Sequence, residues 1–237
     1  MRNPIVPLRI AEIKNSSFYR GNKEEMLPSH IITKLGERVV RVGIVGTLVD
    51  KYVSDEMNYC RLTLCDDTDD IIVKVFGNLV EEAAKLDIGN IVFVAGKVKE
   101  GSYRYVNAEI IKKVDFAFES FFKLKIIERI AKNSKRVKEI LKLSEMLSYE
   151  ELVEECKARF EIDENQLKEI LKNKASESLE ETILKIIENF SNEEGISISE
   201  LLNFVNIEKE KLAEIVSELQ ESGKIYEFKP GKYKIIK

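Results

Sequence analysis

The chain has 237 residues, with 38 Lys and Arg against 42 Asp and Glu, which gives a formal net charge of −4 at pH 7. This length favours two domains over one or three. The negative net charge excludes a polycation that coats nucleic acid, so any such binding requires a local face. Three cysteines without metal-ligand spacing and a single histidine, His30, argue against a zinc site, and we predict no metal and no cofactor.

The first 115 residues fall into two parts. Residues 1–35 predict an irregular N-terminal arm that packs on the following domain, because three prolines and a glycine interrupt any regular element. Residues 36–115 instead predict strands, the first of them long and bent at Gly43 and Gly46, since glycine inside a strand marks a bulge or a bend. The further predicted elements are strands over 59–64, 71–76, 91–99 and 103–114 and a short helix over 78–86.

This order of three strands, a helix and two strands is typical of the five-stranded Greek-key OB-fold barrel. An SH3-like barrel is the main alternative, but it lacks a helix between the third and fourth strands. The long first strand also favours a closed barrel, because one bent strand must pair with both halves of the sheet.

The second half of the sequence predicts helices. Apolar residues at three- and four-residue spacings over 116–175 predict a helical connector between the two domains. A helix of this connector is also a candidate for contact with other subunits. Residues 176–237 predict three amphipathic helices, a helix end at Gly223 and two short strands around a Pro-Gly turn, which is the order of a winged helix. The predicted fold class is therefore α+β: a five-stranded OB-fold β-barrel followed by helices and a C-terminal winged-helix domain.

The sequence lacks the motifs of common enzyme classes. It contains no P-loop, no dinucleotide-binding glycine motif, no nucleophile elbow and no zinc-protease motif. The acidic run over 66–70 does not fit a calcium loop and predicts a solvated turn. We therefore predict a binding protein without catalytic activity. The absence of an 18-residue apolar run and of a signal-peptide core predicts a cytoplasmic location.

The third strand of the barrel points to nucleic-acid binding. Its aliphatic positions are predicted to face inward, so Lys74 and Phe76 face outward, and Arg61 of the second strand lies beside them. An aromatic ring gives a base a stacking surface, while a nearby cation attracts the phosphate. The loops that join strands one to two and four to five complete the OB-fold groove. The predicted nucleic-acid-binding residues are Arg61, Lys74 and Phe76 with Lys51, Tyr52, Lys97, Lys99, Tyr103 and Arg104 from the loops.

An alternative for this face is structural: Phe76 would pack under the short helix and the tyrosines would support the barrel. The charge of the barrel also limits binding, because residues 36–115 hold 11 Lys and Arg against 14 Asp and Glu, a net −3. We therefore expect weak, salt-sensitive affinity and a role inside a larger assembly.

The helix after the barrel carries more apolar residues than one small barrel needs, which predicts a subunit interface. The predicted interface residues are Phe118, Phe121, Phe122 and Ile126. The alternative is that this helix joins the two domains and packs on both.

The third helix of the tail is rich in glutamate, which disfavours a recognition helix in duplex DNA. We predict that the winged helix binds a basic segment of a partner protein rather than DNA. The competing hypothesis is a winged-helix transcription regulator that binds duplex DNA.

Several segments resemble one family. Residues 30–34 with 38–49, the run Leu-Cys-Asp-Asp-Thr at 64–68 and Val-Ala-Gly-Lys-Val at 94–98 are similar to archaeal proteins of the replication protein A middle-subunit type. The resemblance covers most of the chain, although 116–175 match only in helical character. One departure is the tip of the fourth-to-fifth strand loop, which carries no aromatic residue.

The resemblance implies a subunit of a heteromeric single-stranded-DNA-binding complex that acts in replication, recombination and repair. Its partners would be large and small subunits of the same type, joined through the helix after the barrel, and proteins recruited by the winged helix. Phe76 stands at the position of the stacking aromatic on the third strand of that family.

Overall fold

The computed structural model describes residues 3–22, 27–191, 195–205 and 207–236. The chain divides into two compact units, Met1–Leu171 and Lys172–Lys237. The division falls within a long helix, near the predicted start of the winged-helix segment at residue 176.

The N-terminal unit consists of short N-terminal elements, a barrel and helices. Its elements in chain order are β1 (Ile5–Pro7), α1 (Ile10–Lys14), β2 (Ser17–Tyr19), β3 (His30–Ile32), β4 (Arg38–Val39), β5 (Arg41–Val53), β6 (Tyr59–Cys65), β7 (Asp70–Phe76), α2 (Leu79–Ala84), β8 (Ile91–Glu100), β9 (Arg104–Lys113), α3 (Phe116–Leu143), α4 (Tyr149–Phe160) and the start of α5 (Glu164–Phe190).

The barrel closes through β5. The sheet order is β1-β5-β6-β7-β9-β8, and β5 also pairs with β8. The first half of β5 pairs antiparallel with β8 and the second half with β6. A Cβ on Gly46, where the two halves meet, would lie 2.8 Å from the carbonyl oxygen of Cys65, so only glycine fits this bend. With α2 between β7 and β8, this is the predicted OB fold, and the α+β class is confirmed.

The barrel interior follows the alternation of the strands, because successive side chains of a strand point to opposite faces. Aliphatic side chains fill the space between the strands and are fully or nearly fully buried. The buried side chains include Val42, Ile44, Leu48, Leu62, Leu64, Ile71, Val73, Val75, Val92, Val94 and Val106.

The first residues are more regular than their prolines predict. β1 pairs in parallel with β5, and β2, β3 and β4 form a separate three-stranded sheet. Helix α1 buries Ile10 and Ile13 in the barrel core. Local sequence signals miss these elements because contacts with the distant barrel strands stabilise them.

The acidic turn between β6 and β7 is not simply solvated, which corrects the sequence prediction. The carboxylate of Asp66 accepts a hydrogen bond from the backbone N–H of Ile10 at 2.9 Å, and the hydroxyl of Thr68 accepts one from Ala11 at 3.1 Å. Lys14 and Asp69 form an ion pair at 2.7 Å. The turn therefore satisfies free N–H groups at the start of α1 and anchors that helix on the barrel.

Helix α3 begins at its cap residue Asp115, which accepts a hydrogen bond from the N–H of Phe118. One face of its first half lies on the barrel. Farther along, the guanidinium of Arg129 bridges Glu12 and Glu37, with N–O distances of 2.5 Å to each. This nearly buried bridge joins α3 to the N-terminal residues that wrap the barrel.

The remaining helices of the N-terminal unit pack on the C-terminal part of α3 through a second cluster of aliphatic side chains. Ser148 and Glu151 form a capping box at the start of α4. The sequence predicts separate helices near 161–171 and 178–190, whereas α5 is continuous from Glu164 to Phe190. No glycine or proline interrupts this stretch, so nothing in it ends the helix.

The C-terminal unit combines helices with a small sheet. After α5 its elements are β10 (Ile196–Ser197), α6 (Ile198–Leu201), α7 (Lys209–Glu221), β11 (Ile225–Lys229) and β12 (Lys232–Ile235), and the sheet order is β10-β12-β11. Gly223 has a φ of +68° just after α7, as expected for a helix end. The order is that of the predicted winged helix, and this assignment stays a prediction.

An ion pair connects two elements of the C-terminal unit. Lys232 of β12 lies 2.6 Å from the carboxylate of Glu200 in α6, which also bonds Ser197. The lysine and these hydrogen bonds lower the pKa of Glu200 to about 2.

Candidate nucleic-acid interface

The outer surface of β6 and β7 presents three of the predicted binding residues, Arg61, Lys74 and Phe76. On β7, Ile71, Val73 and Val75 are buried, while Lys74 and Phe76 lie on the opposite face, and Phe76 is 52% exposed. Phe76 therefore does not pack under α2, which was the structural alternative. Alternation along the strand alone predicts this orientation, because the inner face of β7 is uniformly aliphatic.

The strand register aligns side chains from five strands in one row across the barrel. Tyr52 lies opposite Arg61, Arg61 opposite Lys74, and Lys74 opposite Asn107. Asn107 in turn lies opposite Lys97. Directly opposed side chains on neighbouring strands lie within contact distance. We call these five residues the cross-barrel row, and three of them are cations.

Acidic neighbours hold two of these cations in the unbound protein. Arg61 lies 3.3 Å from Asp50, and Lys97 lies 3.7 Å from Glu109. Most of these side chains remain substantially exposed, where such pairs contribute little and exchange readily. A phosphate can therefore compete for both cations.

Aromatic rings flank the row on both sides: Phe76 and Tyr103 are exposed, and Tyr59 and Tyr105 are partly buried. The ring of Tyr59 lies 5.2 Å from that of Phe76 and 6.4 Å from that of Tyr52. On the other side, the rings of Tyr103 and Tyr105 are 5.9 Å apart. Aromatic rings on such a surface give bases a place to stack.

Lys74 lies between the two groups of rings. Its Nζ is 4.0 Å from the ring centroid of Tyr105 and 5.0 Å from that of Tyr103. A side-chain hydrogen bond to Tyr103 raises the pKa of Lys74, so this lysine remains cationic at any physiological pH.

The sequence prediction missed three members of this surface: Tyr59, Tyr105 and Asn107. The alternation that assigns Arg61 and Lys74 to the outer face also assigns Tyr59 there. Asn107 and Tyr105 required the register of β9 against β7 and β8, which the sequence does not supply.

Two predicted binding residues serve the fold instead. Lys51 lies opposite inward-facing Leu62, and its Nζ donates hydrogen bonds to the carbonyls of Ala84, at 2.9 Å, and Leu86 at the end of α2. Such a lysine satisfies carbonyls that the end of a helix leaves without partners. Lys51 therefore serves the fold rather than nucleic-acid binding.

Arg104 is likewise occupied within the fold. One terminal nitrogen donates hydrogen bonds to the carbonyls of Ile13 and Lys14, at 2.7 and 3.0 Å, and the other bonds Glu100 at 2.7 Å. The guanidinium thus holds the end of α1, and Arg104 serves the fold rather than nucleic-acid binding. Lys99 differs from Arg104 because it lies opposite Tyr105, at the edge of the cross-barrel row, and it stays a predicted binding residue.

Two of the four predicted interface residues are buried inside the N-terminal unit, which corrects that prediction. Phe122 and Ile126 pack with Val45 of the barrel. Phe118 stacks on Phe122 with ring centroids 6.3 Å apart and is only partly exposed. Phe121 points away from the barrel and is 57% exposed.

A second apolar face of α3 remains uncovered in the described part of the chain. Its large side chains are between 57% and 73% exposed, and their spacing places them on one broad side of the helix. We call this face the outer α3 stripe, and its members are Phe116, Phe121, Leu124 and Ile127. Phe116, Leu124 and Ile127 were absent from the predicted interface residues. When a helix has two apolar sides, its sequence does not show which side packs on the barrel.

Among the residues that the structure describes, no three His, Cys, Asp or Glu side chains cluster as a metal site would require. Within the same residues, no helix combines the length and apolar character needed to cross a membrane.

Two family models match the chain. The model described as the OB-fold nucleic acid binding domain matches residues 42–114, and the model for the replication protein A C terminal matches residues 157–228. The uncharacterized protein MJ1654 of Methanocaldococcus jannaschii is 31% identical over 223 residues, which cover 92% of this chain and 86% of that protein.

The solved structures that resemble part of the chain include a chain from a replication protein A heterotrimer bound to single-stranded DNA. It is 16% identical, with a TM-score of 0.46, and the match covers 55% of this chain and 98% of that one. A chain of the S. pombe Stn1–Ten1 complex is 19% identical, with a TM-score of 0.48, and the match covers 58% and 98%. The chain therefore belongs to the family of this M. jannaschii protein, and it carries the OB-fold nucleic acid binding domain and the replication protein A C terminal, in agreement with the sequence resemblance.

Proposed function

We propose that this chain is a subunit of a heteromeric single-stranded-DNA-binding complex of the replication protein A type, acting in replication, recombination and repair. The observation that carries the proposal is the cross-barrel row with aromatic rings on both sides, of which Phe76 and Tyr103 are exposed. Bases stack on Phe76, Tyr59 and the ring pair at 103 and 105, while the three cations of the row contact phosphates. Duplex DNA keeps its bases stacked on one another, so this surface favours unpaired strands.

The barrel alone is expected to bind weakly. Its net charge is negative, and Asp50 and Glu109 compete with phosphates for Arg61 and Lys97. If all three cations of the row contact phosphates, the logarithm of affinity falls with the logarithm of salt concentration with a slope of about −2, since each contact on a single strand contributes about −0.7. Tight binding then requires further subunits on the same strand.

The outer α3 stripe is the proposed contact with those subunits. It exposes four large apolar side chains on a rigid helix, and contiguous exposed apolar area marks interaction sites. The partners are a large subunit of the replication protein A type and a small one. The interface we propose keeps Phe121 from the sequence prediction and replaces the buried Phe122 and Ile126.

The C-terminal unit is proposed to recruit a repair or replication protein through α7. The polar side of this helix carries Glu210, Glu214 and Glu218, which suits a basic segment of a partner. The same charge disfavours the alternative of a transcription regulator, since a recognition helix must approach phosphates.

The chain acts by binding and not by catalysis. In a cell without a nucleus it works in the cytoplasm.

The experiment that tests this function is a titration of the purified chain with single- and double-stranded oligonucleotides, alone and with the large subunit. We expect a preference for the single strand, with higher affinity in the presence of the subunit. If the chain binds duplex DNA in preference, the transcription-regulator hypothesis gains. If neither preparation binds a single strand, the proposed function is wrong.

A further inference from the structure

The last residues of the chain have the opposite charge to the helix before them. Residues 224–237 contain five lysines, one glutamate and three aromatic residues, whereas α7 carries four glutamates and two lysines. Cations interleaved with aromatic residues are the composition of a nucleic-acid-binding surface. The acidic character of α7 therefore does not extend to the hairpin of β11 and β12, which is a separate surface.

The hairpin arranges aromatic rings and a lysine on one exposed face. On β11, Ile225 is buried in the core of the C-terminal unit, while Tyr226 and Phe228 are exposed. Tyr226 lies opposite Lys234 of β12, and the Nζ of Lys234 is 3.9 Å from the ring centroid of Phe228. We call Tyr226, Phe228 and Lys234 the wing face. The partly buried Tyr233 and Ile235 pack on the core instead.

The wing face repeats the local chemistry of the barrel surface. There Lys74 lies 4.0 Å from the ring of Tyr105, beside a second tyrosine. On the hairpin, Lys234 lies over Phe228, beside a tyrosine whose ring centroid is 6.4 Å from that of Phe228. In both places an exposed ring accompanies an ammonium group, so a stacked base and its phosphate can be held together.

We propose that the wing face is a second contact site for unpaired DNA, with a base stacked on Phe228 or Tyr226 and the adjoining phosphate near Lys234. Charge selects this occupant over a basic peptide, which the lysines would repel. The exposed rings select it over duplex DNA, whose bases are not free to stack on a protein ring. Lys224, just before β11, pairs with Glu180, and Lys232 of β12 pairs with Glu200.

The test is a fluorescence-anisotropy titration of the full chain with labelled oligothymidylate at low salt. Phe228→Ala is expected to weaken binding about fivefold, as the loss of one weak base stack would. The matched control is Phe204→Ala, which removes a ring of similar exposure, 48% against 43%, elsewhere in the C-terminal unit. Thermal unfolding of both variants checks that the fold is retained.

The outcomes separate this inference from the proposed function. If Phe228→Ala binds as tightly as the parent, or if Phe204→Ala weakens binding equally, the wing site is wrong. If Phe76→Ala has no effect while Phe228→Ala does, the barrel site fails and the wing site stands. An oligonucleotide that carries iododeoxyuridine should also cross-link by light to residues 225–229, and cross-links confined to the barrel would contradict the inference.

Discussion

Removal of the exposed ring of Phe76 is the most direct test of the barrel surface. The side chain is 52% exposed, and its ring centroid lies 5.2 Å from that of Tyr59. Phe76→Ala removes the stacking surface for one base and leaves the aliphatic inner face of β7 intact. We therefore expect a loss of affinity without a loss of fold.

The size of the effect follows from the surroundings of the ring. One base–aromatic stack contributes about 1–3 kcal/mol by alanine substitution. Because Tyr59 lies close enough to give the base part of a new surface, we expect the lower part of that range, about 1–2 kcal/mol, which is a 5- to 30-fold weaker affinity. Half of the ring is already in solvent, so the free energy of unfolding should change by less than about 1 kcal/mol.

The assay is an anisotropy titration with single-stranded oligothymidylate at fixed, low salt, beside a urea unfolding curve. Phe76→Tyr is the matched control, because it keeps the ring and should retain most of the affinity. The reasoning is refuted if Phe76→Ala binds like the parent. It is also refuted if Phe76→Ala and Phe76→Tyr lose the same affinity while both remain folded.

Three further predictions address the lysines, the helix and pH. Lys74→Ala should make the slope of log affinity against log salt concentration shallower by about 0.7. Lys51→Ala should leave this slope unchanged and lower the melting temperature. Titrations at several salt concentrations, together with thermal melts, distinguish the two variants. Phe121→Asp should prevent co-elution with the large subunit while the chain stays folded, whereas Phe122→Asp should unfold the chain, because the new carboxylate would be buried. Size-exclusion chromatography measures co-elution, and circular dichroism measures folding. An undisturbed complex with Phe121→Asp contradicts the proposed interface. The pKa of Glu200 is lowered in the folded state to about 2. Its contribution to the stability of the fold is therefore complete above its ordinary pKa near 4.5 and is lost as the pH falls towards 2. Glu200→Gln should flatten this part of the profile of melting temperature against pH, and a profile like the parent's would count against the ion pair.

The sequence alone determined the barrel and the orientation of its third strand. Uniformly aliphatic residues alternate with Lys74 and Phe76, and a slip of one residue would turn every side chain to the other face. Gly46 marked the bend of the first strand because glycine inside a strand is typical of a bulge or a bend. These features rest on short-range patterns that any strand of this composition must follow.

The tertiary structure alone decided which cations and which apolar residues are available. Lys51 bonds carbonyls 33 and 35 residues away, and Arg104 bonds carbonyls about 90 residues away. Both faces of α3 are apolar, and only its docking on Val45 separates buried Phe122 from exposed Phe121. The physical reason is that alternation fixes the side of an element on which a residue lies, whereas the distant groups brought to that side by folding decide whether the residue is occupied or free to bind.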